Sequence, residues 1–521
     1  MRRRLRRITR ILLAAAAVIA LALLGAWGLL AWRSPLVSDP QAAARPVPEE
    51  VPAWWTNAPP LTCDELGYLR WIERVTWRTP RERWNEHWQI GGRQLGPSSI
   101  RYQAAFAGYA SAAIAMRTPA YTGRTRRILE SCLEHLIDRR AWAYVETYWR
   151  DRPTFPDPVA HENIMYSGHL LQLLVLLEAM TGERRYRERG FDFIWDESRS
   201  FHYTTATLTE AIVAQMRRSS DGGVACEPGL VFFPCNTHPQ LALRVQEGMG
   251  LGDWRSERAR WEASSLASYG PLLGGGAVAA LRVPDAGITV PRGVAGLDGW
   301  SLLWYQPWAA DPAVPARLWA KAAGYIPWAE FEAAAPGKDE GAVESCCGHV
   351  RMPAAAPASF YCAAAAACGD RAGAVRLRTW LETRYRSGAA GELRLDCDPE
   401  YRIGVTSNLL IALALLNGSN LRHLVQRPLP RACFERMLIE DVEPAEADVA
   451  AASWESDGAL SVEVLAAGGP VRLRLANAAG AVEVTGAASA RQEGEWLELT
   501  WPAPGRHRIR VAAAGARAPA R

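Results

Sequence analysis

The sequence predicts a mainly α-helical protein: an α/α toroid, meaning a barrel of paired helices, with an N-terminal transmembrane helix before it and a small C-terminal β-sandwich-like domain after it. Three observations carry this prediction. A long uncharged run opens the chain, apolar segments of helical character fill its middle, and alternating apolar and polar residues fill its end. Hydrophobic residues make up 49% of the 521, which excludes a disordered chain. The net charge is only +4, and Arg2, Arg3, Arg4, Arg6, Arg7 and Arg10 account for the excess. The remainder is near neutral and has no basic patch suited to nucleic acid.

Residues 1–10 form the basic arm, and Ile11 to Trp32 is free of charged residues. At 1.5 Å per residue that run can cross a hydrocarbon core of about 30 Å. The arginines ahead of it keep the amino terminus in the cytoplasm, so a single-pass inner-membrane protein is expected, with its catalytic domain periplasmic or extracellular. A cleaved signal peptide, with small residues near Ala42 to Ala44, is the rival reading. Signal cores usually span roughly 7–15 residues, which favours the anchor, and both readings export the rest of the chain. Residues 33–60 are rich in proline and read as an extended tether between the membrane run and the helical region.

From residue 61 to 436 the pattern is helical. Candidate helices are Tyr102 to Met116, Ile164 to Met180 closed by Gly182, Thr207 to Met216, Gln240 to Gln246, Ala316 to Ala323, Ser359 to Ala367, Ala374 to Tyr385 and Ser407 to Leu416. Thr207 followed by Glu210 reads as a capping box. Loops bearing glycine and proline separate these segments, and no fixed repeat is visible. So many helices exceed a four-helix bundle, whereas a ring of helix pairs accommodates them around a central cavity. From 437 to 521 the period becomes two. Ala459 to Leu465, Val471 to Leu475, Ala481 to Thr485, Glu495 to Trp501 and Arg506 to Val511 read as short strands of an antiparallel sandwich.

Two motifs carry candidate chemistry. The first is Met165-Tyr166-Ser167-Gly168-His169 at a helix start, where Met165 and His169, four apart, share a face. Gly168 lets a neighbour approach closely, and a core histidine beside a core methionine is the plainer reading. The second contains Cys226-Glu227-Pro228-Gly229 and Cys235-Asn236-Thr237-His238, set among glycine and proline and read as a fixed loop leading into a helix. A helix amino terminus favours a nearby thiolate. Three readings stay open. A disulfide is favoured by spacing alone in an oxidising compartment, a metal site with His238 matches no common zinc spacing, and free thiols can serve as acid and base.

The combination of Met-Tyr-Ser-Gly-His, a Cys-Glu-Pro-Gly loop and a following Cys-Asn pair resembles the linalool dehydratase-isomerase family. The resemblance is dense from Tyr102 to about Arg244. It implies an α/α toroid, no cofactor and no metal, and an activity that interconverts linalool with geraniol and dehydrates linalool to myrcene. The substrate implied is a small apolar alcohol. Carried over, Cys226 and Cys235 are the catalytic thiols, His169 a polar partner and Met165 a cavity wall. Arg101-Tyr102-Gln103 resembles a further family segment and brings Tyr102 to the cavity. Tyr166 and Glu227 join the substrate-binding set from within the motifs. A homo-oligomer is also implied, because in the family an acidic residue and a tyrosine reach into a neighbouring subunit's site. Asp64, Tyr68 and Glu82 are the nearest candidates here.

The chemistry stands apart from the resemblance. Loss of water from an allylic alcohol needs a proton for the hydroxyl, a base at a neighbouring C–H and an aromatic surround for the delocalised cation. Neighbouring thiols can supply the first two as a coupled pair, and a covalent thioether is the other use of a nucleophilic cysteine. Among the other cysteines, Cys63, Cys132, Cys346, Cys347, Cys362, Cys368, Cys397 and Cys433, some pairing is expected after export. Asp298 to Trp308 can line a cavity or fill the core. Two further functions compete. One is a carbohydrate enzyme with Glu162 and Glu227 as acid and base and some of the 22 tryptophans as sugar platforms. The other is a non-catalytic envelope-binding protein.

Overall fold

The computed structural model describes residues 53–88, 99–269, 280–283, 288–291, 296–333, 342–343, 352–389, 391–444, 447–478 and 480–514. The basic arm, the transmembrane run, most of the proline-rich tether, and Cys346 and Cys347 lie outside them.

Among the described residues twelve helices have nine or more residues. In chain order they are α1 (Cys63–Val75), α2 (Ile100–Ala115), α3 (Thr122–Ile137), α4 (Ile164–Thr181), α5 (Thr205–Arg218), α6 (Phe233–Gly248), α7 (Arg255–Tyr269), α8 (Leu297–Tyr305), α9 (Ala313–Ala322), α10 (Ala355–Ala367), α11 (Arg371–Tyr385) and α12 (Arg402–Leu416). The protein is thus mainly helical, with a C-terminal β region.

Two kinds of helix alternate. Every residue of α2 is buried, and every residue of α4 except Glu178. Both are apolar on all sides, as a helix must be when it is covered all round. By length and composition α4 could cross a membrane, but here it is a core helix. In contrast, α11 buries Ala374, Leu377, Trp380, Leu381 and Tyr385, a single stripe at spacings of three and four, and turns its arginines outward. Packing follows the same alternation. Helix α2 lies against α4, α4 against α6, α6 against α8, α8 against α10, α10 against α12, and α12 against α2 again. The odd-numbered helices pack outside them: α3 on α2 and α4, α5 on α4, α9 on α8, and α11 on α10.

Local chemistry fixes several boundaries. Thr62 and Glu65 form a reciprocal capping box at the start of α1. The α5 helix begins one turn earlier than its sequence suggests, because Thr204 caps it and pairs with Thr207; Glu210 has no part in the cap. Gly182, at φ +72°, ends α4 as the sequence reading expects. The larger correction concerns α6. It starts at Phe233, so Cys235 sits in its first turn and not in a loop. Pro234 is tolerated there because the first-turn N–H groups have no intrahelical acceptor.

The carboxy-terminal region has eight strands: β1 (Leu438–Glu443), β2 (Asp448–Trp454), β3 (Leu460–Ala466), β4 (Val471–Ala476), β5 (Val482–Thr485), β6 (Ser489–Glu493), β7 (Trp496–Thr500) and β8 (Gly505–Ala513). They form two four-stranded antiparallel sheets, ordered β1-β4-β7-β6 and β2-β3-β8-β5. The sequence reading lacks β1, β2 and β6. The β region is joined to the helices by backbone hydrogen bonds, Ile439 N–H to Ala120 O at 2.8 Å and Leu61 N–H to Ala450 O at 2.8 Å. Arg126–Glu440 and Arg127–Asp441 ion pairs flank this seam.

Candidate active site

The amino-terminal turns of four inner helices carry the candidate side chains. Tyr102 is the third residue of α2, Met165 the second of α4, Cys235 the third of α6 and Trp300 the fourth of α8. The turn before α6 supplies Cys226. In the Cys226–Leu230 segment Cys226 N–H donates to Leu230 O at 2.8 Å and Leu230 N–H to Glu227 O at 2.9 Å. Pro228 and Gly229 occupy the centre of that turn, and Gly229 takes φ +70°, a conformation that a side chain would strain.

This turn is clipped to its surroundings from three sides. The Asn236 amide copies a backbone pairing: its Oδ1 accepts from Val224 N–H at 2.8 Å and its Nδ2 donates to Val224 O and Phe232 O, each at 2.9 Å. Ile164 N–H donates to Ala225 O at 3.0 Å, which ties the turn to the start of α4. The Glu162 carboxylate accepts from Gly229 N–H at 3.1 Å and from the Trp149 indole at 2.7 Å. Glu162 and Asn163 both take left-handed backbone, at φ +53° and +60°. Asn163 is held there by Tyr144 O–H at 2.6 Å and by its own bond to Pro158 O at 2.9 Å. Two adjacent strained residues at the root of α4 mark a conformation fixed by its neighbours.

The two sulfurs come together. Cys226 is 1% exposed and Cys235 9%, and neither is bridged. Burial pushes the Cys226 thiol well up, and a hydrogen bond to Cys235 adds to the shift by favouring the protonated form. The disulfide favoured by spacing is therefore replaced by a thiol–thiol contact. The other six described cysteines are unbridged as well.

His169 is fully buried. Burial first, then the Arg101 charge, holds its pKa well below the ordinary histidine value, so the ring is neutral. Its Nδ1 lies 2.8 Å from the Tyr109 hydroxyl, and its Nε2 is buried with no hydrogen-bond partner among the described residues. Around it stand aromatic rings. Tyr102 meets His169 edge-on at 5.3 Å and Trp300 at 5.0 Å; Phe106 lies 5.2 Å from Trp300, and Phe360 stacks on Trp300 at 5.3 Å. Gly168 allows α4 and α6 to touch, since a Cβ there would come within 2.9 Å of Pro239 Cδ and 3.5 Å of Cys235 O.

Of the other residues named from sequence, Met165 is buried with its sulfur 3.7 Å from Arg101. Tyr102 is buried, and the charges of Arg101, Cys235 and Cys226 all act on its hydroxyl after burial itself, which raises its pKa. Glu227 is half-buried and close enough for its charge to act on Cys226 and Tyr102. Tyr166 belongs elsewhere: its hydroxyl donates to Leu136 O at 2.6 Å and its ring lies by Phe193, so it joins α4 to the outer layer. Asp64 and Tyr68 are committed within the chain, Asp64 to Arg386 at 2.7 Å and Tyr68 to Glu382 at 3.1 Å. Glu162 uses both oxygens in its clips, which leaves it ill-suited to acid–base work on a sugar. Sequence reading missed Tyr109, Phe106 and Phe360, and it considered His238 only as a metal ligand. Among the described residues no cluster of histidine, cysteine and carboxylate side chains could hold a metal ion.

Fold and constellation together define a mainly helical protein that gathers two buried thiols and a neutral imidazole among aromatic rings. Residues 101–394, over half of the chain, match the family model described as linalool dehydratase/isomerase. The chain belongs to that family.

Proposed function

We propose that this protein is a membrane-anchored lyase/isomerase that dehydrates or isomerises a small allylic alcohol of the terpene type, with Cys226 and Cys235 as its acid–base pair. The single observation that supports this reading best is the buried Cys226–Cys235 thiol contact, whose charges reach Tyr102, the ring that meets the His169 imidazole edge-on. The six inner helices, each against the next and the last against the first, fit an α/α toroid with the site at one mouth.

In this reading Cys226, kept protonated by burial, donates its proton to the substrate hydroxyl. The C–O bond breaks, water leaves, and an allylic cation forms among Tyr102, Phe106, Trp300 and Phe360. Cys235 takes the part of the base in this reading, because it lies in the first turn of α6 and within range of the Arg101 charge. As a thiolate it takes a proton from a neighbouring methyl group, giving the diene. The proton then returns from Cys235 to Cys226 through their hydrogen bond, and the pair is reset. Isomerisation differs only in that water adds back at the far end of the allyl system and returns its proton to the pair.

The uncharged run at Ile11–Trp32 would hold the domain on the outer side of the inner membrane, where an apolar substrate can partition from the bilayer. Assembly of several chains is part of the proposal only as far as the family implies it. The test is a panel of linalool, geraniol and other allylic alcohols incubated with reduced, full-length protein and followed by gas chromatography. Turnover that vanishes in Cys226→Ala and in Cys235→Ala is the expected result. Turnover that survives both changes, or none on any allylic alcohol with both thiols free, overturns the proposal.

A further inference from the structure

The aromatic cluster around His169 contains a second histidine that the acid–base scheme does not use. His238, on α6, is fully buried and packs against His169, their ring centroids 3.7 Å apart and their planes tilted by 37°. Both of its nitrogens are engaged. Trp300 Nε1–H donates to His238 Nε2 at 2.9 Å, and His238 Nδ1 meets Gln172 Oε1 at 2.7 Å. An indole N–H can only donate, so Nε2 must be the bare nitrogen. The ring proton therefore sits on Nδ1, where Gln172 accepts it. A second proton on His238 would set two donors head to head, so this ring stays neutral and rigid.

His169 has the opposite arrangement. Its Nδ1 has one partner, the Tyr109 hydroxyl at 2.8 Å. If the imidazole donated that bond, the phenolic proton would have no acceptor among the described residues, and Nε2 would also be bare: two buried groups unsatisfied. If Tyr109 donates, only Nε2–H is left over. Each unsatisfied buried polar group is costly, so the second arrangement is favoured. It places the proton of His169 on Nε2, the nitrogen without a partner.

We infer that Tyr109 and His238 are positioning residues that hold His169 as the Nε2–H tautomer, so that His169 serves the reaction as a hydrogen-bond donor to an oxygen and not as a base. Tyr109 selects the tautomer, and the His238 ring, pinned by Trp300 and Gln172, packs against the imidazole and holds it in place. The acceptor that fits a buried, neutral N–H near Tyr102, on which both thiols act, is a hydroxyl oxygen of the substrate or the water that leaves. This assignment rests on the allylic-alcohol reading for its oxygen, but the tautomers themselves do not.

The test separates the two. In 15N spectra of histidine-labelled, full-length protein in detergent, His169 should show a pyrrole-type Nε2 and a pyridine-type Nδ1, and His238 the reverse, with signals assigned from the His169→Gln and His238→Gln spectra. In Tyr109→Phe the His169 signals should move toward a mixture of tautomers, and kcat on the active alcohol should fall about tenfold with KM little changed. Trp300→Phe should mix the tautomers of His238 while leaving Nδ1 of His169 pyridine-type. A His169 that carries its proton on Nδ1, or on both nitrogens near neutral pH, overturns the inference. So does a Tyr109→Phe spectrum identical to the parent's. The wild-type spectrum decides the tautomer even if a variant fails to fold. The expected tautomers without turnover of any allylic alcohol would sink the proposed function alone.

Discussion

Replacing Glu162 with alanine tests how the Cys226 turn is held. One carboxylate oxygen accepts from the Trp149 indole at 2.7 Å and the other from Gly229 N–H at 3.1 Å. Hydrogen bonds to a charged group contribute about 1.5–3 kcal/mol each. The carboxylate is partly exposed, so water replaces part of what is lost, and the discounted sum is about 2–3 kcal/mol. The backbone adds a second, separable term. At φ +53° a residue with a Cβ is strained by about 1–2 kcal/mol, and glycine is not. Part of glycine's advantage is offset by its greater freedom when unfolded. Glu162→Gly should therefore be more stable than Glu162→Ala by about 1 kcal/mol, although both lack the carboxylate. Urea denaturation followed by circular dichroism measures the order wild type, Gly, Ala. Turnover of whichever allylic alcohol the parent protein accepts, followed by gas chromatography, should fall at least about tenfold in the alanine variant as the Cys226 turn loses its anchor. An alanine variant as stable and active as the parent refutes this account, and alanine more stable than glycine refutes the strain argument.

Three further outcomes are expected. Cys226→Ala and Cys235→Ala should each lose turnover while the urea midpoint moves little; a loss of about 2–5 kcal/mol would point instead to a structural bridge. Gly168→Ala gains about 1 kcal/mol of helix propensity but forces a Cβ to within 2.9 Å of Pro239 Cδ, so activity should fall more than stability does; an unchanged kcat counts against close α4–α6 contact as a requirement. Burial lowers the pKa of His169 and His238 well below normal and that of His135 to about 3. A depressed folded-state pKa stabilises the protein above the unfolded value of about 6.5 and loses that contribution as pH falls. Between pH 7.5 and 5.5 the three rings should together remove up to about 4 kcal/mol, read as a drop in the urea midpoint; a flat profile would mean that they are solvated. Cys226 acts in the other direction, since its raised pKa withdraws stability as pH climbs above the ordinary thiol range.

Four of the six inner helices were legible because they are apolar all round: α2 and α4 are nearly uninterrupted, and α10 and α12 carry runs of alanine and leucine. Several of the others were not. Arginine interrupts α3 and α7, so their apolar stripes show only once a neighbour is known, and α8 is a short apolar segment with no clear period. Strands β3, β4 and β7 announce themselves by alternation. Acidic residues break the pattern in β1, and β6 exposes nearly every side chain, so the sequence does not mark it as a strand. The motif residues Cys226, Cys235 and His169 were readable because short context singles them out. Their support was harder to see. Phe106 and Tyr109 follow Tyr102 at spacings of four and three, a stripe that suits an ordinary core equally well. His238 was visible, but only the fold sets its ring against His169. Tyr166 shows the opposite failure, since motif membership suggested a site residue where helix geometry turns it outward.

Pro239 has no amide proton, so it cannot close the helical bond to the carbonyl of Cys235 four residues earlier. The first turn of α6 is thus fastened less by its own helix than by the Asn236 side chain, which grips the backbone of Val224, two residues ahead of Cys226. Thermal breathing of α6 below the proline need not reach either sulfur, and any shift of one thiol drags the other with it. Their separation is a property of a small spliced unit, so substitutions in the other helices can alter the surrounding aromatic packing without changing the distance between the two thiols.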